Sequence, residues 1–355
     1  SKIRNEKSHR KMKTEASISL IVALFAYVGQ SMASVSDSLS HHPSFSVEYT
    51  GEVQSDFKHA KFVNLLQLGA EIPLSRSVSL NLSSVSVATT DEEPLVENLQ
   101  GYSNIDAENL PFALAVAGLS WQVSDRHSLF AGIRRVDEDY FCSDVLSLFT
   151  ASTCGGFPTI TANHDIPAYP ASALGLHYAF EKEHFALQAS FYNGTGHTKF
   201  GGKDHIFRFS PKEDGLFLMS QAEYRHGGSG YFLGGSLHYG GHTGTDDHHV
   251  RPILWAYAEQ AVGERLHLLA AYSHAFCDDN SCRHFCGIGG KYTFPRADIG
   301  VFSDYVRIDG QDEWATEFTC NIQCTGSISL QPVLHVLATD GHAHCVGMLR
   351  LGISL

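Results

Sequence analysis

The chain has 355 residues and carries 25 Lys and Arg against 38 Asp and Glu, a formal charge of −13. Six of those basic side chains fall in the first thirteen residues, so the rest is more acidic still. This excludes a nucleic-acid surface, which needs clustered Lys and Arg. No later run is long and apolar enough for a transmembrane helix. The mean hydropathy of −0.11 reads as that of a soluble protein unless the chain crosses a membrane with alternating strands.

Lys2, Arg4, Lys7, Arg10, Lys11 and Lys13 precede an apolar run over 18–28 and the small-residue stretch Ser31-Met32-Ala33. This is the pattern of a cleaved export signal over residues 1–33, with Met12 as its start. Residues 34–355 then form one domain.

From Ser44 onward the chain reads as strands of about ten residues separated by turn chemistry. The predicted strands cover 44–56, 62–72, 77–89, 111–123, 127–136, 171–181, 184–194 and 216–226, then 230–240, 251–261, 265–276, 284–294, 297–305, 312–325, 327–337 and 343–355. Short links follow the even strands, as at Pro73 to Arg76, Lys182–Glu183 and Pro295–Arg296. Long links follow odd strands, notably 90–110, 137–170 and 195–215. Outer-membrane barrels have short periplasmic turns on one rim and long extracellular loops on the other.

The strands alternate. Phe185, Leu187, Ala189 and Phe191 oppose Ala186, Gln188, Ser190 and Tyr192. Ile328, Leu330, Leu334 and Val336 oppose Ser329, Gln331 and His335, while Leu349, Leu351 and Ile353 oppose Arg350, Gly352 and Ser354. One face suits lipid and the other water. Hydrocarbon offers backbone groups no partner, so the last strand must pair with the first. The expected fold is a closed antiparallel up-and-down transmembrane β-barrel of about sixteen strands in the bacterial outer membrane.

Several stretches resemble the carbohydrate-selective (OprB-type) porin family. They include Ser44-Phe45-Ser46-Val47-Glu48-Tyr49-Thr50-Gly51, Ser103-Asn104-Ile105-Asp106-Ala107 and 131–141 (Ala131-Gly132-Ile133-Arg134-Arg135-Val136-Asp137-Glu138-Asp139-Tyr140-Phe141). Cys154-Gly155-Gly156-Phe157-Pro158-Thr159-Ile160, Tyr169-Pro170-Ala171-Ser172, Phe191-Tyr192-Asn193-Gly194, Glu317 and Ser329-Leu330-Gln331-Pro332 follow in the same order. The resemblance covers residues 44–355 and implies a sixteen-stranded barrel passing sugars. After the strand-five glycine the family often carries Lys or an acidic residue, where this chain has Ile133 and Arg134.

Selectivity in such a channel comes from lumen width and lining. Loop 137–170 is expected to fold inward, bringing Asp137, Glu138, Asp139, Asp144, Asn163, His164 and Asp165. The candidate path is lined by Arg134, Asp137, Glu138, Tyr140, Glu223, Arg225, Glu317, Gln331 and Arg350, with Tyr140, Phe141 and Tyr192 as stacking platforms for sugar rings. Eight cysteines in an exported chain allow disulfides, with 142–154 and 277–282 as the suited pairs. Cys286, Cys320, Cys324 and Cys345 read as small apolar strand residues. Asp246-Asp247-His248-His249 reads as an exposed loop tip, with no spacing that fixes a metal.

No cofactor or enzyme motif is present in the sequence. The expected partners are small sugars or other hydrophilic solutes and outer-membrane lipid, with no nucleic acid, for a monomer or a homotrimer. The alternatives are an outer-membrane lipid hydrolase with a plugged lumen and a structural or adhesive barrel.

Overall fold

A computed structural model describes residues 42–240, 249–278, 281–339 and 341–355. The expected export signal and the Asp246 to His248 stretch lie outside the described residues. Residues Pro43–Ser354 form one barrel unit. Its strands are β1 (Ser44–Ser55), β2 (Ala60–Pro73), β3 (Val78–Thr89), β4 (Leu110–Ser124), β5 (His127–Arg134), β6 (Ala173–Lys182), β7 (Phe185–Asn193) and β8 (Leu216–His226). They continue as β9 (Ser229–Gly240), β10 (His249–Val262), β11 (Leu266–Ala275), β12 (Cys282–Phe294), β13 (Ala297–Ile308), β14 (Gln311–Gln323), β15 (Ile328–Thr339) and β16 (His342–Ser354). Each strand pairs antiparallel with its chain neighbours, and β1 closes on β16. Closure leaves no sheet edge for hydrocarbon to meet.

The even-to-odd connections are short, as at 125–126, 183–184, 227–228 and 295–296. The other rim carries the loops 90–109, 135–172 and 194–215, but its later connections shrink to 309–310 and 340–341. Along β14, Glu313, Glu317 and Thr319 are buried inside, while Trp314 and Phe318 are exposed outside. Along β10, Arg251, Ile253, Trp255, Tyr257 and Glu259 face in, and Val250, Leu254 and Val262 face out. This period of two is the pleat itself, with lipid selecting the outer set.

The inner face is not uniformly wet. Tyr192, Phe217, Phe232, Trp255, Tyr257, Phe285 and Phe302 are buried there, in one core with residues of loop 135–172. Small residues make room for these rings. A Cβ at Gly234 would overlap the Trp255 indole, and one at Gly175 would overlap the Tyr192 ring.

Closure has a direct test. Val53 and Leu349 are register partners across β1 and β16. In a background stripped of its other thiols, V53C/L349C should form a disulfide within one chain, read as a mobility shift lost on reduction. The off-register pair V53C/L351C should not.

Candidate permeation site

Loop 135–172 turns into the barrel directly after β5. Its backbone makes three short 3-10 turns, Val136–Glu138, Leu146–Leu148 and Ser152–Cys154, and a single helical turn α1, Pro158–Thr161. Such turns begin with N–H groups that have no partner within the turn. The barrel wall supplies acceptors. Glu259 Oε1 accepts the N–H groups of Val145 and Leu146 at 2.9 and 3.2 Å. Glu317 accepts those of Thr150 and Ala151, at 2.9 and 3.0 Å, together with the Thr150 hydroxyl at 3.1 Å.

Further contacts fix the loop along its length. Thr153 Oγ1 donates to Asp304 at 2.6 Å, and Gln331 Nε2 donates to the Leu148 carbonyl at 2.7 Å. Asn163 binds both the carbonyl and the N–H of Cys282 at 2.8 Å. Apolar packing completes the seat, with Phe157 against Phe285 at 4.8 Å and Phe149 against Phe302 at 5.3 Å between ring centres.

Loop 90–109 also folds inward, onto the inner face of β14 to β16. Glu313 accepts the N–H groups of Leu99 and Gln100 at 2.9 and 3.2 Å. Arg350 lies between Glu52 and Asn104, at 2.6 Å from each. Tyr102 packs on Ala315, Val333, Leu337, Val346 and Met348. The two loops bind each other: the Asn104 N–H donates to the Thr150 carbonyl at 2.7 Å, Ser152 N–H to Gly101 at 3.0 Å, and Tyr169 OH to Ile105 at 2.8 Å.

Between them lies a cavity of about 890 Å³ lined by Asp106, Arg135, Asp137, Glu138 and Asp165 among its charged groups. Arg135 is buried, pairs with Glu138 at 2.5 Å and Asp137 at 3.4 Å, and stacks on the Tyr169 ring at 5.6 Å. Asp106 meets Lys61 of β2 at 2.7 Å, and its burial raises its pKa above the usual carboxylate value. A smaller cavity of about 170 Å³, lined by Asp139, Ser143, Gln188, Gln221, Glu223 and Arg225, lies towards the short-turn rim. Cys142 borders both spaces.

The expected path residues divide accordingly. Asp137 and Glu138 line the larger cavity, and Glu223 and Arg225 form an ion pair in the smaller one. Arg134 does not reach out as an isolated cation: it grips Asp139 through two bonds of 2.6 and 2.5 Å and covers Phe130. Arg350 holds loop 90–109 in place. Tyr140, Glu317 and Gln331 are buried at 1, 2 and 7 % exposure and anchor the loop, and Tyr140 also borders the larger cavity. Tyr140 binds Ser190 and the Met219 carbonyl, and with Phe141 it borders the larger cavity while little of either ring is exposed; Tyr192 is buried and does not line that cavity.

Sequence reasoning missed Arg135, Lys61 and Asp106 as a group, and it missed loop 90–109. The available signal was Glu259, Glu313 and Glu317, acidic residues on inner faces otherwise rich in apolar neighbours. The expected disulfides are not formed. Cys142 and Cys154 are free thiols that both border the larger cavity, one exposed and one buried, and Cys282 is a free buried thiol bonded into the Asn163 contact through its backbone.

No protein-family profile matches the sequence, and no curated protein does. Solved structures match in fold. The high-pH structure of Pseudomonas putida OprB aligns with a TM-score of 0.73 at 15% identity, over 88% of this chain and 94% of its own. An anion-selective porin from Comamonas acidovorans aligns at 0.61 and 10% identity, over 88% and 99%. The trimer form of OmpT from Vibrio cholerae aligns at 0.58 and 10%, over 88% and 99%. The barrel implied by the sequence resemblance is therefore the fold this chain shares with those proteins.

Cys142 gives the site a native probe. It lies on loop 135–172 where that loop borders both cavities, with its sulfur set deep among neighbouring groups. That depth, reinforced by Asp137, Asp139 and Glu138, pushes the thiol up to about 12. It is therefore a thiol at neutral pH, and its reaction with a cationic methanethiosulfonate should speed up about tenfold per pH unit below that value. Labelling should lower single-channel conductance, and C142S should abolish the effect.

Proposed function

We propose that the chain is a passive diffusion channel of the bacterial outer membrane for small hydrophilic solutes, sugars foremost, and not an enzyme. The observation that carries this is the cavity of about 890 Å³ held open inside a closed barrel between two anchored loops. Its walls present carboxylate acceptors at Asp137 and Glu138 and the Arg135 guanidinium beside them. A sugar hydroxyl can exchange hydrogen bonds with such groups while water fills the rest. The choice of sugars is supported by the resemblance to carbohydrate-selective porins and by the shared fold with Pseudomonas putida OprB.

The charged lining favours neutral and cationic solutes over anions, because carboxylates outnumber cations around the cavity. Protein-loaded liposomes should swell in glucose and more slowly in gluconate. In D137N/E138Q the gluconate rate should rise about twofold, the size expected for removing charges at solvent-screened distance, while the glucose rate holds. Absence of both swelling and channels in planar bilayers would refute the channel reading.

A further inference from the structure

Loop 194–215 behaves differently from the two lumen loops. Thr195 and Gly196 border the large cavity, but the middle of the loop turns outwards. Phe200 stacks on Phe112 with ring centres 5.6 Å apart and planes 22° apart. Phe209 packs on Phe191 at 6.0 Å. Phe112 begins β4 and Phe191 ends β7, both on the lipid-facing side at the long-loop rim. The loop thus lays rings onto the upper edge of the lipid-facing wall.

Those rings remain open. Phe200, Phe207 and Phe209 are 46, 51 and 50 % exposed. Three exposed phenyls on one loop are unfavourable in water and favourable where the wall meets acyl chains. On the same loop Lys199, Lys203 and Lys212 are exposed. Among the described residues none of the three lysines has an ion-pair partner, because Arg208 takes Asp204, Glu213 and Asp214. Loop 194–215 thus carries four Lys and Arg against three Asp and Glu, a small positive excess beside exposed rings in a chain with a formal charge of −13.

We propose that loop 194–215 docks a phosphorylated, multi-acyl lipid of the outer leaflet. Lys199, Lys203 and Lys212 meet its phosphate groups, while Phe200, Phe207 and Phe209 meet the first carbons of its acyl chains. Ammonium groups at headgroup depth attract anionic lipid, and aromatic rings settle at the boundary below. The proposal rests on the outer-membrane reading above, yet it concerns a surface outside the lumen.

The test uses the full barrel in phosphatidylcholine nanodiscs doped with diphosphoryl lipid A, with retained lipid counted by native mass spectrometry. Wild type should retain lipid A in preference to phosphatidylcholine. K199Q/K203Q/K212Q should lose retention by more than tenfold, at about fivefold per lysine. F200S/F207S should lose it as well, and both variants should keep heat-modifiable mobility and wild-type conductance.

Equal retention by the lysine variant would overturn the proposal. So would displacement by inorganic phosphate alone, or self-association through this face without lipid preference. A barrel that binds lipid A but conducts nothing would contradict the channel reading and leave the lipid site standing.

Discussion

The interior of this barrel depends on carboxylates of the wall accepting backbone N–H groups of the loops. A loop drawn into a lumen loses water from amides that have no ladder to join, and an unpaired buried donor costs about 1–3 kcal/mol. Val145 precedes one 3-10 turn and Ala151 precedes the next, so both lie where N–H groups are left over. Glu259 and Glu317 stand opposite them. A carboxylate at the start of a turn also meets the positive end of its dipole. Glu313 does the same for loop 90–109. Burying these charges is costly by itself, and it is the two or three donors converging on each that offset the cost.

This anchoring divides the lumen. Along β7 to β13 aromatic rings of the inner face form a core with loop 135–172, interrupted by the smaller cavity beside Gln188, Gln221 and Glu223. The larger open space lies between the loops, bordered by Asp106, Arg135, Asp137 and Glu138. The polar groups of the inner face therefore serve two tasks. Buried ones position the loops, and those at the cavity edge border its open space. Asp139 shows how close the two tasks lie. It lines the lower cavity while holding Arg134 against the start of the loop.

Much of the fold was legible in the sequence. Period-two alternation and short turns located all sixteen strands to within a few residues, as with 216–226 against Leu216–His226 and 171–181 against Ala173–Lys182. That information is local, and lipid on one side of the sheet makes it strong. The inward course of loop 135–172 was legible from its length. The site was less legible because its contacts are long-range. Glu313 and Leu99 lie 214 residues apart, and Thr150 and Glu317 lie 167 apart. An inward Glu reads the same in sequence whether it faces water or a loop amide, so Glu317 and Gln331 looked like channel lining. The suggested cysteine pairs are not formed for a related reason, since spacing says nothing of how a packed loop orients each thiol.

The most direct test of this account is the single-channel conductance of E259A/E317A beside wild type, with barrel closure checked by heat-modifiable mobility. Freed of its two acceptors, loop 135–172 should leave its seat. The expected result is a several-fold larger, noisier conductance that added sugar no longer blocks. A closed barrel with unchanged conductance and unchanged sugar block would show that the carboxylates do not hold the lumen in its narrowed state.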